Sequence, residues 1–186
     1  SVLMNWSAKS PSVKQGSAND IRQRLNLDEK VVFFYGGNIG YAQDMENIMR
    51  LARNIREYSN AHFLIVGQGD EYELINQLAD EWKLSNVTIL PSVSQSEFLN
   101  FLSAADVGLF SLSKEHTADN FPGKILGYMG ASLPILGSVN SGNDLLPLVN
   151  EAPAGYVYVN GEDDLLADAA IRLLESEKLR LDLGKR

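Results

Sequence analysis

VVFFYGGNIGYAQDMENIMRLARNI, Val31 to Ile55, decides the fold. Its first seven residues, Val31 to Gly37, are an apolar run that stops at paired glycines, and Met45, Ile48, Ala52 and Ile55 then recur at helical spacing. A strand that is apolar on both alternating positions, followed at once by an amphipathic helix, is the repeating unit of a sheet covered on both faces. The unit recurs downstream. HFLIVGQG (His62 to Gly69) leads into Ile75, Leu78, Ala79 and Trp82 on one helical face, and NVTIL is a third strand. Ser94 and Glu97 stand at capping-box spacing before a helix through Phe98, Leu102 and Ala105, which delivers the chain to DVGLF at Asp106 to Phe110.

Past a polar loop, Pro122-Gly123 opens a helix with Ile125, Leu126 and Met129 on one face. PILG, a short helix over Asp144 to Val149, YVYV and a helix from Asp163 to Glu175 complete the series. Upstream, Ser17 to Leu27 reads as a helix with Ser17 and Asp20 as its capping box. The spacing predicts six strands, Val31–Gly36, Phe63–Gly67, Val87–Leu90, Val107–Phe110, Pro134–Gly137 and Tyr156–Val159, in one doubly wound, mainly parallel α/β sheet. Residues 1–16 form a lead-in and 17–186 a single domain. The start at Ser1 and the ending LRLDLGKR after a helical pattern suggest a piece of a longer chain.

Composition narrows the chemistry. A formal charge of −8 without a lysine–arginine cluster argues against a nucleic-acid partner. The chain has no cysteine, and His62 and His116 are far apart in sequence, which leaves neither a disulfide framework nor a thiolate metal site. The sequence lacks GxxxxGK[ST], GxSxG and HExxH, and it lacks an Asp-x-Asp pair to hold a divalent metal on a diphosphate. No apolar run approaches the roughly 20 residues that span a bilayer.

In doubly wound sheets ligands bind beyond the carboxyl ends of the strands, so the residues just after each strand are the candidates. Gly36, Gly37 and Asn38 open a glycine loop whose backbone can approach a ligand, or simply turn tightly. Gly67 and Gly69 flank Gln68 after strand two, but Tyr72 replaces the third glycine of a dinucleotide fingerprint. Pro91, Ser92 and Val93 can offer backbone to the edge of a heterocycle or merely connect. The long loop SLSKEHTADNF carries Lys114, Glu115, His116, Asp119, Asn120 and Phe121. Lys124, in the first turn after Pro122 and Gly123, opposes its helix dipole unless an anion uses both the cation and the first-turn N–H groups of Gly123 to Ile125.

The order of these features resembles the C-terminal, donor-binding domain of GT-B glycosyltransferases, in the retaining family four group. VLMNW is similar to the interdomain junction, FFYGGNIG to the first glycine loop, FLIVGQGDEYELINQLA to the second strand and helix, and NVTILPSVSQSEFLNFLSAADVGLFSL to strands three and four. DNFPGKILGYMGASLPILG resembles the donor signature EGFPxxxxEAxAxGxPVVA. The resemblance implies a metal-independent transferase with no cofactor, which moves sugar from a nucleotide sugar, UDP-linked in preference. Asp119 falls at the catalytic carboxylate beside the sugar, and Gly127 falls where the family places a ribose-binding glutamate. No basic residue follows the first glycine loop, which leaves Lys124 as the replacement cation for the diphosphate.

The resemblance further implies an absent N-terminal domain that binds the acceptor, a lipid-linked glycan, and an isolated donor half that does not turn over. FPGKILGYM is similar to bacterial surface-polysaccharide transferases of the O-antigen type, including those that place N-acetylfucosamine. Such a parent works in the cytoplasm, peripherally at the inner face of the cytoplasmic membrane. Two other readings share the fold: a non-catalytic nucleotide- or partner-binding flavodoxin-like module, and a GT-B sugar-nucleotide epimerase.

Overall fold

The computed structural model of the protein describes residues 15–115 and 122–185. Helix α1 (Gln15–Arg24) precedes β1 (Val31–Asn38), α2 (Met45–Asn54), β2 (Ala61–Gln68), α3 (Tyr72–Glu81), β3 (Val87–Leu90), α4 (Gln95–Ser103) and β4 (Val107–Ser111). Then follow α5 (Gly123–Gly130), β5 (Ile135–Val139), α6 (Leu145–Glu151), β6 (Gly155–Val159), α7 (Asp163–Glu175) and α8 (Glu177–Gly184). The strands lie in the order β3-β2-β1-β4-β5-β6 and every pair is parallel, so the sheet is wholly rather than mainly parallel.

Alternation along β1 divides the core in two. Val31, Phe33 and Tyr35 face α2, α3, α7 and α8, where Ile48, Ile75, Leu173 and Leu183 are buried. Val32 and Phe34 face α1, α4, α5 and α6, where Ile21, Phe101, Tyr128 and Val149 are buried. Phe33 stacks on Phe63 of β2 with centroids 5.1 Å apart, a cross-strand aromatic pair on the first face.

The chain reverses direction across the sheet between β1 and β4, and the pairing there is brief. β1 and β2 stay in register from Val31↔Ala61 to Asn38↔Gln68, whereas β1 and β4 share only Phe33↔Val107 and Phe34↔Gly108. Beyond Phe34 the two strands separate and leave a notch at the carboxyl edge. Below it, Asp106 accepts hydrogen bonds from Val32 N at 2.7 Å and from Arg22 of α1 at 2.5 Å. Arg22 also donates to the Leu27 and Lys30 carbonyls, so one half-buried ion pair fixes α1, the start of β1 and the start of β4 together.

All six strands lie where the sequence reading put them, but several boundaries depart from it: β2 begins at Ala61, β4 ends at Ser111, β5 is Ile135–Val139 instead of Pro134–Gly137, β6 begins at Gly155 and α6 is Leu145–Glu151. β1 and β2 run two residues and one residue further, because their pairing continues through Gly37↔Gly67 to Asn38↔Gln68. Gly36 to Asn38 are therefore strand, and the loop begins at Ile39. α1 already includes Gln15 and ends at Arg24, so Ser17 lies inside the helix instead of capping it. The second capping position holds: Ser94 accepts from Glu97 N at 3.3 Å and starts α4. α8, capped by Ser176 accepting from Leu179 N, was not expected; Leu183 is its sole buried residue, too little for a periodic signal. Most of the 1–16 lead-in lies outside the described residues.

The β6 edge is closed by side chains. Asn150 of α6 donates to the Val157 carbonyl and accepts from Val157 N, and Glu162 accepts from Val159 N. These bonds occupy the outward groups that would otherwise template another strand.

Candidate functional site

The carboxyl ends of β1, β2 and β3 enclose a cleft of about 300 Å³. Gly37, Asn38, Gly67, Ser92 and Val93 of the sequence-derived set line it, together with Val66, Gln68 and Phe98, which sequence reading did not single out. Two of its glycines are fixed by packing. A Cβ on Gly67 would overlap the Gly37 carbonyl, and one on Gly69, where φ is +153°, would overlap the Ile39 carbonyl. The first loop thus crosses directly over the second turn, and the turn reading of Gly67 and Gly69 accounts for their identity. Gly36 has a different neighbour: the Phe98 ring fills the space its side chain would take. Pro91 is exposed and does not line the cleft. Asn38 donates to Gln43 at 2.7 Å, which engages its amide within the first loop.

Across the notch, α5 is held to the sheet by Tyr128. Gly108 of β4 has no side chain, and the Tyr128 ring occupies its place. The Tyr128 hydroxyl donates to the Leu109 carbonyl at 2.9 Å and accepts from Gly36 N at 3.3 Å, bridging β4 and β1 where their own pairing has ended. Lys124 lies one turn earlier on the same helical face and is carried inward with it. Its stem reaches solvent, but its Nζ is buried and meets no hydrogen-bond partner among the described residues.

The ammonium rests 3.6 Å from the centroid of the buried Tyr35 ring, and a Cβ on Gly37 would stand 4.0 Å from it. Tyr35 is itself fixed by its hydroxyl, which donates to the Asn38 carbonyl. Burial lowers the Lys124 pKa from 10.5 to about 7. At about 1.4 kcal/mol per unit, burial disfavours the charged form by several kcal/mol relative to a solvated lysine. Burial likewise raises the Tyr35 and Tyr128 hydroxyls, so both stay neutral beside the lysine.

Among the described residues, a Cβ on Gly123 or Gly127 would meet nothing within 4 Å. Pro122 is the N-cap of α5, and Ile125 N already donates to its carbonyl, while the Ile125 side chain is wholly buried. That corrects the expected contribution of Ile125: the N–H groups that remain for a ligand are those of Gly123 and Lys124. Asp119, Asn120 and Phe121 lie outside the described residues.

A polar cluster ties the flanking loops together. Ser113 N donates to the Ala42 carbonyl, and Tyr41 donates to Glu115 at 3.0 Å. Asn160 donates to Asp44 and to the Leu112 carbonyl, while buried Asn47 donates to Ser111 at 3.0 Å. The loops after β1 and β4 are thereby set at fixed distance on either side of the notch.

An apolar-walled cleft on one side of a topological switch point, and a buried cation under a helix N-terminus on the other, suit a ligand with a flat end and an anionic middle. The sequence profile described as "Glycosyl transferases group 1" matches residues 17–186. WcaI of Escherichia coli K12, which carries the name of a colanic acid biosynthesis glycosyl transferase, is 28% identical over 172 residues, covering 90% of this chain and 42% of its own length. The chain spans less than half the length of the curated relatives it matches.

Among solved structures, HepE of Anabaena in complex with UDP-glucose superposes with a TM-score of 0.74 at 15% identity, covering 92% of this chain and 46% of HepE. The C-terminal domain of the group 1 glycosyl transferase LpcC of Francisella tularensis superposes with a TM-score of 0.71 at 14% identity, covering 94% of this chain and 89% of that domain. The superpositions establish the fold, and the profile match across nearly the whole chain settles the lineage: the protein belongs to the group 1 glycosyl transferases of GT-B, family four type.

Proposed function

We propose that the chain is the donor-binding half of a retaining glycosyltransferase that takes a UDP-sugar and delivers the sugar to a lipid-linked glycan acceptor in bacterial surface-polysaccharide synthesis. The observation that carries this reading is the buried ammonium of Lys124, which has no hydrogen-bond partner among the described residues, beside Gly37 at the switch point. A cation without a partner in a dry site is costly, and a diphosphate removes that cost. The base enters the β1–β3 cleft, the diphosphate crosses the notch at Gly37, and the N–H groups of Gly123 and Lys124 meet its oxygens. When the anomeric carbon–oxygen bond breaks, the growing charge on the leaving diphosphate falls on donors already in place.

Asp119 takes the position of the carboxylate near the sugar. The acceptor is bound by a second domain that closes over the carboxyl edge, so the chain alone binds donor and does not transfer. The parent works in the cytoplasm, at the inner face of the membrane. Similarity to WcaI supports the polysaccharide setting, and the UDP-glucose bound by HepE supports the nucleotide.

Titration with UDP-glucose tests the reading. The wild-type chain should bind, and Lys124→Ala should weaken binding by about 1.5–3 kcal/mol, the scale of a charge-assisted hydrogen bond, while uridine binds both proteins alike. Equal affinity of the two proteins for UDP-glucose would end the assignment of Lys124, and absence of any wild-type binding would end the donor-binding reading.

A further inference from the structure

Gln68 and Ser92 face each other across the mouth of the cleft. Gln68 is the last residue of β2, Ser92 lies just beyond β3, and both line the cleft. The Ser92 hydroxyl donates to Gln68 Oε1 at 2.7 Å. In this arrangement the serine's one proton goes to Oε1, although its oxygen could equally accept from Nε2 if the amide turned over. The oxygen end is turned to Ser92, and the Nε2 end keeps two N–H donors. Val93 and Phe98, both half-buried, supply apolar surface against which a flat ring can lie.

We propose that Gln68, oriented by Ser92, is the residue that selects the base of the donor, taking bases that present a carbonyl oxygen and rejecting those that present an amine at the same edge. The inference rests on the donor-binding reading above. Uracil and cytosine have the same outline and differ at this edge by one group, the 4-oxygen of uracil against the 4-amine of cytosine. Facing a fixed N–H donor, the oxygen gains a hydrogen bond, whereas the amine sets donor against donor and leaves both unsatisfied. The pair is exposed at the mouth of the cleft, so the discrimination is that of one matched against one mismatched hydrogen bond at a wet edge.

The competing explanation is that the two side chains merely tie the second turn to the third. Gln68→Glu separates the alternatives. A glutamate at 68 still accepts the Ser92 proton and so keeps the tie, but its free oxygen is an acceptor where Gln68 has a donor. Its charge repels UDP and CDP equally, so the ratio of their affinities isolates the base. Gln68 is exposed, and the substitution leaves the core untouched.

Calorimetric titration of the wild type, Gln68→Glu and Ser92→Ala with UDP and with CDP decides the matter. The wild type should prefer UDP by roughly tenfold or more. Gln68→Glu should abolish or invert that preference, and Ser92→Ala, which frees the amide to turn end for end, should relax it part of the way. Gln68→Met, with neither donor nor acceptor, should lose the preference without inverting it. A wild type that binds UDP and CDP equally, or a Gln68→Glu protein that keeps the wild-type ratio, overturns the inference while leaving the donor-binding reading intact. A wild type that binds neither nucleotide overturns both.

Discussion

The glycines of β2 and those of α5 border the same site for opposite reasons. Gly67 and Gly69 lack side chains because the backbone at the end of β1 and the start of the loop after it, the Gly37 and Ile39 carbonyls, already occupies the space. Gly123 and Gly127 lack them beside open space, on a helix where glycine is a poor choice by propensity. The first pair is accounted for by the fold alone. Among the described residues the second pair leaves room along α5, whose first turn also carries a buried cation with no hydrogen-bond partner there, and such room is what a ligand needs. A glycine at a strand end thus marks architecture or function according to what a Cβ would meet there.

The largest effect that tests this contrast is on Gly67. Gly67→Ala drives a methyl into the Gly37 carbonyl and should cost upwards of about 3 kcal/mol in urea denaturation, or prevent folding, since the backbone on both sides is held by the β1–β2 register. A mild loss would show that the first loop can yield.

Next in size is the pH dependence of donor binding. The free protein holds Lys124 at about pKa 7, and a bound diphosphate favours the charged form. Affinity for UDP-glucose should therefore fall by about tenfold per pH unit as pH rises above 7, and binding at pH 8 should take up nearly one proton. The diphosphate of a UDP-sugar has no proton to exchange in this range, so titration in buffers of different ionisation enthalpy reads the lysine directly. A flat profile from pH 7 to 9 would mean that Lys124 does not face the diphosphate.

The same group should shape stability without ligand. Its pKa is lower folded than unfolded, so the unfolded chain binds more protons between about pH 7 and 10.5, and stability from this site rises with pH across that window. Below pH 7 the ammonium is charged in both states and the full burial cost applies. Lys124→Met should accordingly raise stability by about 1–3 kcal/mol at pH 6.5, and the gain should shrink towards pH 10. Denaturant melts at the two pH values check it.

The smallest effect belongs to Gly127. Gly127→Ala places a methyl in open space within α5 and should stabilise the protein by about 0.5–1 kcal/mol from helix propensity, leaving UDP-glucose affinity unchanged. Gly127→Glu, which restores the carboxylate of the family signature, should strengthen binding of UDP-glucose. The open surroundings of Gly127 remove the objection that a glutamate there would be forced into the core.

The strands were legible because each is an apolar run of ordinary length closed by glycine or a polar turn, and α7 begins and ends where its pattern does, at Asp163 and Glu175. Strand ends were less legible: a glycine reads as a stop, but Gly37 and Gly67 pair with each other and carry the sheet onward. Of the site, the position of Lys124 in a first helical turn followed from Pro122-Gly123. Its burial did not, since that depends on Tyr128 entering the space left by Gly108 and on Tyr35 of β1, with β2, β3 and β4 between it and Lys124 in the chain, contacts that no local window contains. The spacing of Tyr128, four residues after Lys124 on the inward face, was the one available signal. Gln68 was passed over as the variable position of a GxG, although its neighbour in space, Ser92, was already a candidate.

The brief pairing between β1 and β4 bears on how the protein comes to be folded. Val32 and Asp106, which meet at its base, are 74 residues apart in sequence, whereas β1, β2 and β3 are joined by successive helical crossovers. Closing that long loop carries an entropic cost, which two register pairs, the Asp106 bonds to Val32 N and Arg22, and the Tyr128 bridge offset. The two halves can acquire their strands separately and join late, and the same seam is the first to part in a fluctuation. Tyr128 and Lys124 sit on it, so an anion that bridged Gly37 and α5 would also clasp the two halves of the sheet together.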